Sequence, residues 1–329
     1  MSYTQNATEA LLGEFFAAVA KPSPLDVDML PIAKVPMYPS DKAKLHLPST
    51  NDIGVGSFYT PTVTTVGALS VSQHSNVEIP VLWYESVKKT LQYRLENFAS
   101  YAALAGEVRE VANRTKRDYI AQILHGLYPN SSGSTKTTYT KTGDEDKLYI
   151  LASGAKIGTY KQPSYNDITG LARMVAEELK ISKPTMRNFV FVCDLVVWQA
   201  LSNNANFVRY DSFGKSQWET GFVANLGGCT VIVSNNLPVV SKTTPSSENT
   251  YALGANAQAN AGLTTALRRT ALLYYAPYFA KTAFNPMLKL DTRDIANSGV
   301  SMMACGGMAS GASHGTVTPS RFLIMDDSS

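Results

Sequence analysis

Hydrophobic and polar positions divide the chain into stretches of different texture. Leu11, Leu12, Phe15, Phe16 and Val19 fall at helical spacing and predict one short amphipathic helix, which has no face of its own to bury against. Pro22, Pro24, Pro31, Pro36, Pro39 and Pro48 then punctuate an extended arm, since fixed φ and missing N–H groups exclude helix and central strand alike. An arm of this kind needs something to hold it, and a partner subunit is the expected holder. Residues 57–83 (SFYTPTVTTVGALSVSQHSNVEIPVLW) are rich in Thr and Val and nearly free of charge, with a turn available at Gly67-Ala68. They predict a β-hairpin with too few large side chains to stand alone, one that projects and takes support from another molecule.

The longest periodic run follows. From Glu85 to about Leu127, Val87, Leu91, Leu95, Phe98, Ala102, Ala105, Val108, Ala112, Tyr119 and Ile123 recur near every 3.6 residues without an intervening proline. Gly106 is the one expected bend. Such a helix would be about 65 Å long. Its polar face mixes Lys88, Lys89, Arg94, Arg109, Arg114, Lys116 and Arg117 with Glu96, Glu107, Glu110 and Asp118. That is the pattern of a solvated face with i,i+4 pairs, with a basic surplus that phosphate would suit.

Beyond a Ser/Thr/Gly loop at 128–143 and a short strand at 148–151, the texture becomes α/β. Ser164 and Asp167 form a capping-box start for a helix through Ile168, Leu171, Val175 and Leu179, continuing until Pro184. NFVFVC (188–193) reads as a buried strand, and Asp194 is placed to cap a helix through Trp198 and Leu201. CTVIVS (229–234), residues 272–279 and RFLIM (321–325) read as further strands, whereas 301–320 reads as a small, Gly-rich tail. No internal repeat is present.

Composition narrows the classes. The 329 residues are 44% hydrophobic and 17% charged, enough apolar mass for a sizeable core and too little charge for a disordered chain. A formal net charge of +3 excludes binding nucleic acid by bulk charge alone. Cys193, Cys229 and Cys305 are scattered, so neither a disulfide framework nor a zinc site is expected. Leu11–Ala20 has no basic segment before it and contains Glu14, so no signal peptide is expected, and the uncharged stretches are too broken by Asn, Ser, Gly and Pro to span a bilayer. The chain reads as soluble and intracellular.

Catalytic constellations are lacking. His46, His74, His125 and His314 have no Asp, Glu or Cys at metal-ligand spacing. Phe213-Gly214-Lys215-Ser216 ends like a phosphate loop, but Arg209 stands where that loop needs its first glycine. Gly227-Gly228 precedes a strand instead of opening a helix, which makes it a turn and not a dinucleotide cradle. No catalytic, metal-binding or cofactor-binding residue is expected, and no cofactor.

The order of elements, and above all VVWQALSNNANFVRYDSFGKSQWETGFVANLGGCTVIVSNNLP from Val196, resembles the major capsid protein of tailed double-stranded DNA bacteriophages, the Hong Kong 97 capsid fold. Gly221, Leu226, Gly228, Val231–Val233 and Ser234-Asn235-Asn236-Leu237-Pro238 fill the family's pattern G-x-hydrophobic-x-x-L-x-G, strand, SNNLP. ALLYYAPYFAKTAFNPMLKLDTRD (271–294) looks like the family's return to its peripheral domain. The resemblance implies an α+β fold with an N-terminal arm (1–56), an extended loop (57–83), a peripheral domain with a spine helix (84–163), an axial domain (164–283) and a return with a C-terminal tail (284–329). It implies a structural, non-enzymatic subunit that self-assembles in pentamers and hexamers into the icosahedral head around phage DNA, formed in the host cytoplasm and found in the virion. Portal and scaffolding or decoration proteins would be its partners, the DNA would touch it without sequence specificity, and no membrane is involved. On this reading Leu11, Phe15, Phe16, Phe58, Tyr59, Val63, Val66, Leu69 and Val71 are the expected interface residues, and Lys88, Arg94, Arg114 and Arg117 an inner basic face. An encapsulin-type nanocompartment of the same fold, or a small-molecule-binding enzyme, are the alternatives; nucleic acid inside the particles separates the first, and a peak near 35.6 kDa on size exclusion would favour the second.

Some members of that family weld subunits through Lys–Asn isopeptide bonds. A weld here would need a lysine on the projecting loop, and 57–80 contains none. Cohesion is therefore expected from apolar burial, strand addition and arm overlap. Particles boiled in SDS without reductant should run as one band near 35.6 kDa, and a ladder from dimers to hexamers would contradict this.

Overall fold

The structure is a computed structural model. It describes Ala10, Ala17, Ala18 and residues 13–15 of the N-terminal helix, residues 33–35, 44–49, 75–80, 82–85, 89–91, 98–129, 138–140, Gly143, 145–157, 160–181, 186–202, 224–226, 229–243, 250–253, 267–282, 287–291, 300–308, 310–312 and 319–326. The fold is α+β, and its centre is a six-stranded sheet.

That sheet runs in the order Ala224–Leu226, Cys229–Val233, Phe189–Cys193, Thr270–Tyr275, Ser320–Ile324, Tyr149–Leu151. Phe189–Cys193 lies parallel to Cys229–Val233 and antiparallel to Thr270–Tyr275, and it is buried at all five positions. A strand covered on both faces has to be apolar throughout, which is what FVFVC supplies. Phe189, Phe191 and Cys193 face one layer with Val231, Val233, Leu273 and Leu323, against the helices Tyr165–Glu178 and Leu195–Ser202. Val190 and Val192 face the opposite layer with Ile232, Leu272, Tyr274, Phe322 and Ile324.

The opposite layer is built from the end of the long helix and from a four-stranded sheet, Leu267–Arg268, Val240–Thr243, Thr250–Leu253, Thr138–Thr140. The long helix spans Phe98–Gly126, 29 residues or roughly 44 Å. It therefore starts well after Glu85, the start that periodicity predicts. Leu82–Glu85 and Lys89–Leu91 are strands, paired with Cys305–Met308 and Val300–Met302. The spacing of Val87 and Leu91 satisfies a helix, but the long strand Val300–Met308 offers backbone partners to Leu82–Glu85 and Lys89–Leu91, and tertiary pairing overrides propensity.

Val300–Met308 itself is a second departure, since this stretch reads as a small Gly-rich tail. It takes Met287–Asp291 along one edge and the two strands just named along the other. Pairing with Tyr84 and Trp83 holds Gly306 and Gly307 extended without help from side chains. The long helix packs against this strand.

The arm is held by its own chain. Ala33–Val35 pairs in parallel with Ala280–Thr282, in a three-stranded sheet closed by Ser310–Ala312. Lys44–Ser49 pairs with Ser75–Pro80, so the described strand of the expected hairpin finds its partner in the arm; residues 57–74 and the turn at Gly67-Ala68 lie outside the described residues. Among the described residues this pair has only two strands, an edge arrangement that tolerates Pro48 and Pro80.

Local capping signals act as read. Ser164 Oγ accepts from Asp167 N at 3.2 Å and Asp167 Oδ2 accepts from Ser164 N at 2.8 Å, a complete capping box. The helix stops at Glu178, six residues short of Pro184. Lys180 N donates to Glu177 O at 3.1 Å and Ile181 N to Ala176 O at 2.9 Å, a Schellman stop with Lys180 at φ 52°.

Phe322 closes the core. Its ring meets those of Tyr139 at 4.7 Å, Tyr128 at 5.2 Å and Tyr149 at 5.7 Å. Phe322→Ala should cost about 3–5 kcal/mol, because the surrounding rigid rings cannot collapse into the space it leaves. Chemical denaturation should show a lower midpoint with an unchanged slope; a loss under about 1 kcal/mol would mean that the cluster repacks.

Candidate assembly surfaces and the Ser234–Pro238 loop

Strands Phe189–Cys193 and Cys229–Val233 run parallel and end side by side, at Asp194 and Ser234. In open α/β sheets the carboxyl ends of parallel strands are where ligands bind. Here that edge is filled by the protein. Ser234 N donates to Cys193 O at 2.8 Å, and Ser234 Oγ accepts from Asn236 N at 3.3 Å. Asn235 Oδ1 accepts from Leu195 N at 3.5 Å. Asp194 Oδ1 caps the following helix by accepting from Val197 N at 2.8 Å, while Oδ2 is paired with Arg269 Nη1. Both carboxylate oxygens are engaged, so Asp194 anchors this corner.

The loop's far end is pinned by a relay. Thr270 Oγ1 donates to Pro238 O at 2.6 Å and lies 2.6 Å from Tyr128 Oη. A hydroxyl has one proton, and a carbonyl cannot donate, so Tyr128 must be the donor to Thr270. The chain Tyr128–Thr270–Pro238 thus ties the end of the long helix to the Ser234–Pro238 turn through the core. Burial raises the Tyr128 phenol above its ordinary value, with the Thr270 hydrogen bond opposing that rise.

A second polar hub sits at Asp326, whose carboxylate is fully buried. Its oxygens accept from Tyr251 Oη at 2.6 Å, Arg268 Nε at 2.5 Å and Lys242 Nζ at 2.9 Å. It joins three strands of the four-stranded sheet to the end of the central one. Arg321, equally enclosed, is paired with Glu178 on the Tyr165–Glu178 helix, and burial pulls its guanidinium down to about 10. It stays charged at neutral pH, as the pairing with Glu178 requires.

Neither buried thiol near these corners is reactive. Burial raises the Cys193 thiol well above its ordinary value and pushes Cys229 up to about 12, so neither offers a thiolate near neutrality. His46 is in the Lys44–Ser49 strand and His125 is buried at the end of the long helix; His74 and His314 lie outside the described residues. Among the described residues no three His, Cys, Asp or Glu side chains gather as metal ligands, and no helix is long and apolar enough to cross a membrane.

Of the expected interface residues, Leu11, Phe16, Phe58, Tyr59, Val63, Val66, Leu69 and Val71 lie outside the described residues. Phe15 does not: it is fully buried within its own chain, so its ring has no surface to offer a neighbour. Of the expected basic face, Lys88 and Arg94 lie outside the described residues. Arg114 and Arg117 are exposed on the long helix, on one stripe with Gly106, Arg109, Glu110 and Asn113. Arg109 on that stripe is bound to Glu14, Nε at 2.9 Å and Nη2 at 2.8 Å from Oε2. With Glu14 and Glu110 interleaved, the face is mixed in charge.

No family model matches the sequence, and no curated protein does either. Solved structures do. The mature capsid of bacteriophage PhiM1 covers 91% of this chain and 86% of its own, with a TM-score of 0.51 and 12% identity. The capsid of Helicobacter pylori bacteriophage KHP30 covers 90% and 88%, with a TM-score of 0.52 and 8% identity. The capsid of the native GTA particle covers 93% and 92%, with a TM-score of 0.54 and 14% identity. The chain has a phage-capsid fold. At such identities the fold is shared through backbone geometry and core pattern, not through side chains at particular positions.

Within this capsid fold the far end of the Ser234–Pro238 turn is held by Thr270, and through it by Tyr128, which no local motif marks. Thr270→Val removes the hydroxyl but keeps the shape, leaving Tyr128 Oη and Pro238 O buried without it. The expected cost is about 1–3 kcal/mol. Thermal unfolding followed by circular dichroism should show a lower Tm; an unchanged or raised Tm would mean that both groups find other partners.

Proposed function

We propose that this chain is the major capsid protein of a tailed phage, the repeating subunit of an icosahedral head around double-stranded DNA. The observation that carries this reading is the match to three capsid shells over about 90% of both chains, which leaves little of the molecule for any other task. The two filled corners support it: at Asp194 and at Asp326 polar groups are spent on holding segments together and not on presenting chemistry.

In this reading the segments keep the roles that the sequence suggests. Residues 1–56 are the arm, 57–83 the extended loop, 84–163 the peripheral domain with the spine helix, 164–283 the axial domain and 284–329 the return. The central sheet draws strands from the last three of these. Copies of the chain in pentamers and hexamers are its main partners. Portal and scaffolding or decoration proteins complete the head, and DNA touches its inner side through exposed cations such as Arg114 and Arg117 without sequence specificity. The protein works in the virion after assembly in the host cytoplasm.

Electron microscopy of the purified protein tests the reading. Closed shells or capsomers are expected as salt and protein concentration are varied. A single species near 35.6 kDa under every condition, with no particles even at the highest concentration, would overturn it.

A further inference from the structure

The central sheet asks for apolar side chains on both faces, and Arg321 breaks that rule. It stands on Ser320–Ile324 opposite Leu273, while Leu323, two positions on, packs into the layer under the Tyr165–Glu178 helix. Alternation puts Arg321 on that same face. Its Nη1 donates to Ser320 O at 2.6 Å, and its Nη2 is paired with Glu178, the last residue of the helix. The two members are unequally covered: the Arg321 side chain is 5% exposed and that of Glu178 33%. A helix C-terminus is an unfavourable place for a carboxylate, because the last carbonyls already carry partial negative charge. The fold thus keeps a cation where an apolar residue would serve, and an anion where a cation would. Apolar residues of similar volume are often as stabilising as a buried ion pair, so what the pair adds over packing is dependence on charge.

We propose that Arg321 and Glu178 form an acid-released latch, which holds the end of the Tyr165–Glu178 helix on the central sheet while Glu178 is ionised and frees it when Glu178 takes up a proton. Acid reaches the pair through Glu178, the more exposed member, and Arg321 cannot follow because a guanidinium stays protonated. A neutral Glu178 leaves the cation enclosed between helix and sheet, and the helix end must lift for water to reach it. Leu179 and Ile181, half-buried against the same layer, come away with it. The other charged groups nearby do not take over the role. Glu177 is paired with Arg173 at 3.5 Å, and Lys180, just past the helix end, is a cation. The flanking strands Tyr149–Leu151 and Thr270–Tyr275 bring only tyrosines as titratable groups, and Tyr149 and Tyr274 face the opposite layer. Past the end of the strand, Asp326 is engaged by Tyr251, Arg268 and Lys242, and Lys161, whose N–H donates to Asp326 O, is a further cation. The contribution of the latch is therefore present at neutral pH and lost as pH falls through the carboxylate range, about 4–5.

The latch belongs to the single chain, so its test does not depend on the shell reading. Hydrogen exchange of the whole protein at about pH 7 and about pH 4, corrected for the intrinsic exchange rate, reads it out. In the wild type, protection over residues 172–181 should fall at least about tenfold on acidification while Phe189–Cys193 keeps its protection. Glu178→Gln should show the lowered protection already at neutral pH and change little in acid. Arg321→Met removes the enclosed cation and lets Glu178 turn to water, so it should stay protected at both pH values. Should Glu178→Gln fail to fold, Arg321→Met still decides. Acid loss in Arg321→Met equal to that of the wild type would overturn the proposal, as would wild-type protection in a folded Glu178→Gln at neutral pH. Simultaneous loss in every element of the acidified wild type would overturn it too, since the helix end would then have no release of its own.

Discussion

Burial of the central sheet on both faces constrains everything else in this molecule. Phe189–Cys193 has no face to give to water, so each of its side chains must be apolar and each backbone group must find a neighbouring strand. Both requirements propagate outward. One face demands two helices with apolar stripes, and the other demands the end of the long helix and the aromatic cluster around Phe322. The long helix is fixed by that second demand, since Tyr119, Ile120, Ile123, Leu124, Leu127 and Tyr128 enter the core that covers Val190 and Val192.

Polar groups inside this frame serve connection. Asp326 brings Lys242, Arg268 and Tyr251 to one carboxylate, and Thr270 passes a hydrogen bond from Tyr128 to Pro238. Buried ionic groups of this kind contribute little net stability but are costly to break singly. Their effect is to fix which segment lies where.

Much of the fold was legible in the sequence, and the reasons for success and failure are physical. Signals that act over a few residues were readable: the Ser164–Asp167 box, the Asp194 cap, FVFVC and CTVIV as buried strands, and the apolar stripe through Ala105, Val108 and Ala112. Contacts between distant segments were not. Val87 and Leu91 fit helical spacing, and nothing near them announces a strand partner at Val300–Met308. Gly306 and Gly307 suggest a loop, and only pairing with the distant Trp83 and Tyr84 makes them strand. Phe15 fits the pattern of an exposed anchor, yet its own subunit covers it. Thr270 and Asp326 carry the two polar hubs, but a single Thr and a single Asp have no local pattern to betray them.

Tyr149–Leu151 and Ser320–Ile324 lie in parallel register, Tyr149 beside Phe322, across more than half the chain. Parallel pairing at that separation demands closure of a very long loop before any ladder bond forms, so this step is slow compared with helix formation. Until it occurs, Ser320–Ile324 stands as an uncovered edge with Leu323 on one face and Phe322 and Ile324 on the other, the kind of surface that joins the wrong molecule. Newly made chains thus pass through a sticky interval whose duration is set by topology.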